Sequence, residues 1–167
     1  DVLRTLRPAI DSQHASVRIV DRLPVVVGDA AMLGKVFANL ISNGLKFNRS
    51  DRPSVEIGTL AGEVPVIYVR DNGIGIAPEH RQEVFTIFRR LHSRRQYEGS
   101  GAGLTIVRKI VESHGGRIRL ESEPGRGTTF FFTLAPVKSD TTASQPSASA
   151  PHWLDRLRRR PSGARNR

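Results

Sequence analysis

The chain of 167 residues contains no cysteine. That excludes a disulfide framework and any thiolate-bound metal centre, and it fits the reducing cytoplasm. No apolar run approaches the roughly 18 residues of a membrane span, so no membrane segment is expected. The opening "DVLRTLRPAI" carries no signal-peptide pattern. Asp1 stands where an initiator methionine would, so the sequence reads as a piece cut from a longer chain. Internal repeats are also absent. What remains is the composition of a soluble globular protein, 38% hydrophobic and 25% charged. The length suits one domain with its own core rather than two.

A formal net charge of +10 raises the question of an anionic partner. The excess is uneven. From Pro136 to Arg167, seven Lys or Arg face only Asp140 and Asp155, so half the surplus sits in the last fifth of the chain. The remainder is ordinary for a domain that holds a polyphosphate, and no nucleic-acid partner is expected. "SDTTASQPSASAP" (139–151) is small, polar and has almost nothing to bury, which is the composition of a disordered linker. "HWLDRLRRR" after it can form a short basic helix with Trp153, Leu154 and Leu157 on one side. It is either a solvated tail or a contact for an anionic surface. The expected organisation is therefore a domain over 1–135 and a disordered basic tail over 136–167.

Within 1–135, "SVRIV", "PVVV", "SVEIGTL", "VPVIYVR", "GRIRLES" and "TTFFFTL" are β-rich runs bounded by Gly, Pro or Asp. Three helical stretches separate them: Asp29 to Phe47, Pro78 to Phe88, and Leu104 to His114. Asp29 is a natural N-cap, Pro78 suits a first helical turn, and "HGG" supplies the C-terminal glycine of the last helix. The last two runs, joined by "EPGRG", predict a hairpin. These features predict an α/β fold with a mixed sheet and helices on one face, a two-layer sandwich.

Three stretches carry candidate chemistry. In "GDAAMLGKVFANLISNGLKFN", Leu33, Val36, Phe37, Leu40, Ile41 and Leu45 form an apolar stripe at helical spacing. Beside it Asn39, Asn43 and Lys46 fall within about 60° of arc. Asn is a poor helix former and Gly44 adds about 1 kcal/mol relative to Ala, so a solvated flank is a weak explanation of this face. In "DNGIGI" (71–76), Asp71, Gly73 and Gly75 end a β-rich run. Asp-Asn-Gly alone is turn chemistry, and that reading stands beside one in which Asp71 faces a ligand. In "YEGSGAGLTIV", Gly99, Gly101 and Gly103 free a loop to bring its N–H groups to an anion, and a helix starting near Leu104 points its positive end there. Neither a P-loop, which needs Lys-Ser/Thr after its last Gly, nor a G-x-G-x-x-G fingerprint is present. The basic "FRRLHSRRQY" before the glycines is either a solvated loop or a lid for a phosphate.

The order of these motifs, closed by Gly-Thr-x-Phe in a final strand, resembles the catalytic and ATP-binding domain of sensor histidine kinases. That domain belongs to the superfamily shared with gyrase-type topoisomerases, heat-shock chaperones and mismatch-repair ATPases. The resemblance covers about residues 1 to 135, and "NLISNGLKF" with the stretch from "FRRLHSRRQY" to "FFFTL" is most similar to the kinase modules of bacterial phytochromes. It implies a Bergerat-type ATP-binding fold with a flexible ATP lid, and Mg²⁺-ATP as cofactor. It implies that Asn43 binds Mg²⁺, a neutral amide oxygen suiting a hard cation. Asn39 and Lys46 would then lie near the phosphates, with Lys46 as a point charge. Asp71 would accept from the adenine amine, favouring ATP over GTP, whose carbonyl would face an acceptor. Gly73, Gly75 and Ile76 would border the base, and Thr128 would help hold Asp71. Phe85 and Phe88 would pack the base of the lid. Arg90 would reach the terminal phosphate, with Gly99, Gly101, Gly103 and Leu104 lining the phosphates. Three positions depart from the family pattern: Gly44 for a usual Ala, Asn48 for a small hydroxyl residue, and Thr105 for Ala.

Asn39 also stands where the hydrolysing cousins carry a Glu that activates water, and an amide cannot act as a general base. This favours phosphoryl transfer to a histidine, with Asn39, Lys46 and Arg90 as the groups that act on the phosphates. His14, His80, His92, His114 and His152 all lack the acidic neighbour and downstream Pro of the family's acceptor. The substrate histidine is therefore expected on a dimerisation domain outside this chain, in a cytoplasmic, homodimeric kinase that serves a response regulator receiver domain. The alternatives are a serine/threonine kinase of the anti-sigma type, an ATP-binding regulatory module without transfer, and an anion-binding module led by the basic tail.

Overall fold

Aspartate before an apolar helical stripe sets the longest helix. Asp29 caps α2 (Ala30–Lys46), its Oδ1 accepting from the N–H groups of Ala31 and Met32 at 2.8 and 2.9 Å. Those hydrogen bonds hold its carboxyl below the usual value. The computed structural model describes residues 1–86 and 102–135, all within a compact unit, Asp1–Val137. The tail over 136–167 lies outside the described residues.

The chain runs α1 (Val2–Ser12), β1 (Ser16–Ile19), α2, β2 (Ser54–Leu60), β3 (Val66–Asp71), α3 (Gly103–Ser113), β4 (Ile118–Glu123) and β5 (Gly127–Phe132). The five strands form one sheet in the order β1-β2-β3-β5-β4. β1 lies parallel to β2 across the α2 crossover, and the other pairs are antiparallel. Alternation along the strands sends Val55, Ile57, Ile67, Val69, Phe130 and Phe132 to one face. There they meet Val36, Leu40 and Ile41 of α2 and Val107, Ile110 and Val111 of α3. Phe37 meets Phe132 edge-on at 5.8 Å between centroids. The result is the expected mixed-sheet α/β sandwich.

Three expectations are corrected. The N-terminal helix α1 was not read from the sequence, because Pro8 sits inside it and removes a backbone donor. Its Leu3, Leu6 and Ile10 nonetheless reach the core. "PVVV" forms no strand. No neighbour pairs with it, and Val25 and Val27 are 83% and 66% exposed. From Pro78 to Thr86 the chain forms two short 3-10 turns, Pro78–His80 and Glu83–Phe85, in place of the expected helix, whose last two positions lie outside the described residues. Six polar or small residues precede Val84 there, so a helix would have no apolar face over its first turns to pack.

Candidate functional site

Asp71 ends β3 opposite the start of β5. Its Oδ1 accepts from the Gly73 N–H at 2.8 Å and from the Thr128 N–H at 3.1 Å. Oδ2 has no partner among the described residues. Burial pushes the carboxyl up to about 6, with the two hydrogen bonds opposing the shift. One oxygen is thus fixed by the fold, and the other is an acceptor held ready for an external donor.

The helix α2 passes directly over this carboxylate. A Cβ on Gly44 would come within 2.9 Å of the Asp71 Cβ and 3.0 Å of Val55 Cγ2. The glycine that looked like a helix defect is the contact point of α2 with β3. Asn43, its neighbour, is half-buried, and its carboxamide makes no hydrogen bond to a described residue. The amide of Asn39 donates to the Lys35 carbonyl at 2.8 Å. Its Oδ1 lies against Gly103 at the start of α3, 2.7 Å from where a Cβ would stand. The Lys46 ammonium sits 5.0 Å from the centroid of the Phe47 ring. Asn39, Asn43, Gly44 and Lys46 therefore lie along one helix, between Gly103 at one end and the Asp71 region at the other.

The loop after Asp71 is held from two sides. Ile74 N–H donates to the Phe47 carbonyl at 2.9 Å, and the Gly125 N–H donates to the Ile74 carbonyl at 2.8 Å. A Cβ on Gly73 would overlap the Phe47 carbonyl oxygen. One on Gly75, where φ is +71°, would overlap that of Glu123. The Ile76 N–H is taken by Ser122 Oγ at 2.7 Å, which leaves the Ile76 side chain as the part free to meet a ligand. Thr128 holds Asp71 through its backbone, while its hydroxyl turns to Ser122 at 2.9 Å.

Phe85 packs edge-on to Phe130 at 6.4 Å between ring centroids. Its carbonyl accepts from the Thr105 hydroxyl at 3.1 Å. Leu104, in the first turn of α3, packs its side chain against the core. Phe88, Arg90, Gly99 and Gly101 lie outside the described residues, as does the expected lid.

Two participants escaped the sequence reading. Ser122 was not singled out in the sequence. Asn48 was noted only as a departure, yet its amide donates to Asn72 Oδ1 at 2.8 Å and to the Gly44 carbonyl at 3.2 Å. Asn72 also accepts from the Ser54 N–H at 2.8 Å and donates to the Arg52 carbonyl at 3.0 Å. Asn72 is thus the structural half of "DNGIGI" and Asp71 the half with a free oxygen.

A purine and a polyphosphate suit this geometry. The Asp71 carboxylate lies under α2 at Gly44, next in sequence to the unpaired Asn43 amide, and the start of α3 lies against Asn39 of the same helix. Cyanobacterial phytochrome B of Nostoc sp. is 48% identical over 139 residues, matching 81% of this chain and 18% of its own length. The chain thus spans less than a fifth of that relative. A mycobacterial sensor histidine kinase, MprB, superposes with a TM-score of 0.67 at 26% identity, covering 80% of this chain and 90% of that one. Full-length ShkA, solved in complex with AMPPNP, gives 0.68 at 25% identity over 80% of this chain and 28% of its own. Among the described residues, no helix is long and apolar enough to cross a membrane. The model of the histidine kinase-, DNA gyrase B-, and HSP90-like ATPases matches residues 28–138, and the chain belongs to that family.

Proposed function

We propose that this chain binds Mg²⁺-ATP and passes the γ-phosphoryl group to a histidine on a separate dimerisation domain of the same kinase. The free Oδ2 of Asp71, a buried acceptor with no partner among the described residues, is the observation that carries the nucleotide reading. Asp71 accepts from the adenine amine, Lys46 and Arg90 meet the phosphates, and the Asn43 amide oxygen would hold Mg²⁺. When bound, the cation neutralises charge on the triphosphate. Asn39 supplies no base, so water at this position is not activated for hydrolysis. An imidazole nitrogen lone pair attacks the γ-phosphorus in line, and the bond to the β–γ bridging oxygen breaks. ADP leaves with that electron pair, and the imidazole proton passes to solvent. Positioning and charge neutralisation carry the step.

By this reading the full protein is a cytoplasmic, homodimeric sensor kinase whose phosphohistidine serves a receiver domain. The domain would occupy 1–135, with the basic tail after it. The test is incubation with γ-labelled ATP and a matching dimerisation domain. The expected product is a label on that domain, labile in acid and stable in base. A base-labile label, or ADP formation without protein labelling, overturns the reading.

A further inference from the structure

Ser122 sits on β4 with its hydroxyl facing the same side of the sheet as Asp71. Its Oγ lies 2.7 Å from the Ile76 nitrogen, 2.9 Å from the Gly127 carbonyl oxygen and 2.9 Å from Thr128 Oγ1. A serine hydroxyl has one proton and two lone pairs. The Gly127 carbonyl can only accept, so the Ser122 proton goes there. The Ile76 N–H can only donate, so it fills one lone pair. The remaining lone pair must receive the Thr128 proton. Every hydrogen-bonding position of Ser122 is then used, and the direction of each bond is fixed.

Two consequences follow for the site. Ile76, at the end of the glycine loop, is tied to the β4–β5 hairpin that also supplies the Thr128 N–H to Asp71. And Thr128 Oγ1, with its proton committed to Ser122, presents lone pairs only. Asp71 Oδ2 is likewise an acceptor. A ligand group approaching this corner must bring donors, which suits an amine and opposes a carbonyl.

We propose that Ser122 is a positioning residue of the nucleotide site, which sets the register of Ile76 against the hairpin and fixes the Thr128 hydroxyl as an acceptor. The inference rests on the nucleotide reading above. In Ser122→Ala, Thr128 regains a free proton that can turn toward the base, and Ile76 loses its side-chain anchor.

The test is titration of the whole chain with ATP and with GTP, well below the unfolding temperature, alongside thermal unfolding. Ser122→Ala is expected to weaken ATP about tenfold, the scale of one buried hydrogen bond. It should also narrow the ATP-over-GTP preference several-fold. Ser122→Thr, which keeps the hydroxyl, is expected to restore both. Ser113→Ala removes a hydroxyl that donates to the Ile110 carbonyl at 2.8 Å, at the far end of α3. It is expected to move stability alone. If Ser122→Ala does not fold, Ser122→Cys, whose thiol accepts poorly, should shift affinity and preference in the same direction. Unchanged ATP affinity and an unchanged ATP-to-GTP ratio overturn the proposal while leaving the nucleotide reading intact. A wild-type chain that binds neither nucleotide overturns both.

Discussion

At the scale of single residues, Asp71 sets ligand binding against stability. Burial raises its folded pKa to about 6, above the ordinary 3.8, so the ligand-free fold binds this proton more tightly than the unfolded chain does. Stability is therefore fullest at low pH with respect to this group. It declines as pH rises from about 4 through 6, by on the order of 3 kcal/mol in all. Asn at this position keeps an acceptor for the Gly73 and Thr128 N–H groups and carries no charge. Asp71→Asn is expected to raise the melting temperature at pH 7–8, with the gain fading toward pH 4, while nucleotide binding is lost. Thermal unfolding across that range and calorimetric titration with ATP check the two halves; undiminished affinity would sink the assignment of Asp71. Asn43 offers a second test. Under the proposed function, Asn43→Asp puts a further negative charge beside the triphosphate. The phosphotransfer rate at fixed Mg²⁺ is expected to fall roughly tenfold or more, measured by labelling of the dimerisation domain.

Elements divide into those that local chemistry specified and those that tertiary contacts decided. The N-cap of α2, the limits of β2 and the β4–β5 hairpin were legible, because capping, alternation and turn glycines act within a few residues. The candidate face Asn39–Asn43–Lys46 was legible for the same reason, since helical spacing alone places it. The roles of Gly44, Asn48 and Ser122 were not, because each depends on a partner distant in sequence. α1 was hidden by Pro8, and "PVVV" failed for want of a neighbouring strand, which no local preference reveals. Thr105 belongs to this scale too. Its hydroxyl joins the first turn of α3 to the Phe85 carbonyl, with Thr105 only 9% exposed. Thr105→Val keeps the shape and leaves that carbonyl without its donor, at a cost of about 1–2 kcal/mol. Urea unfolding should show a lower midpoint at an unchanged slope.

For the molecule as a whole, the sequence places half of the positive surplus after residue 135, outside the described residues. A chain ending at residue 135 is expected to melt within about 2 °C of the full chain, since ordinary surface changes fall within ±0.5 kcal/mol. It should also bind ATP as tightly at 0.15 M salt. A tail that matters for the site would show as weaker ATP binding on truncation. Loss of binding to anionic vesicles alone would assign the tail to a surface contact.

The bond between Thr105 and the Phe85 carbonyl bears on how this domain tolerates change. It fixes two points of the backbone side by side, 20 residues apart in sequence. The entropy of closing such a loop grows only with the logarithm of its length, about 0.6 kcal/mol per doubling. On that scaling, lengthening the chain between those two points is expected to change the cost of forming the tie by little, which thermal unfolding of an insertion variant would check.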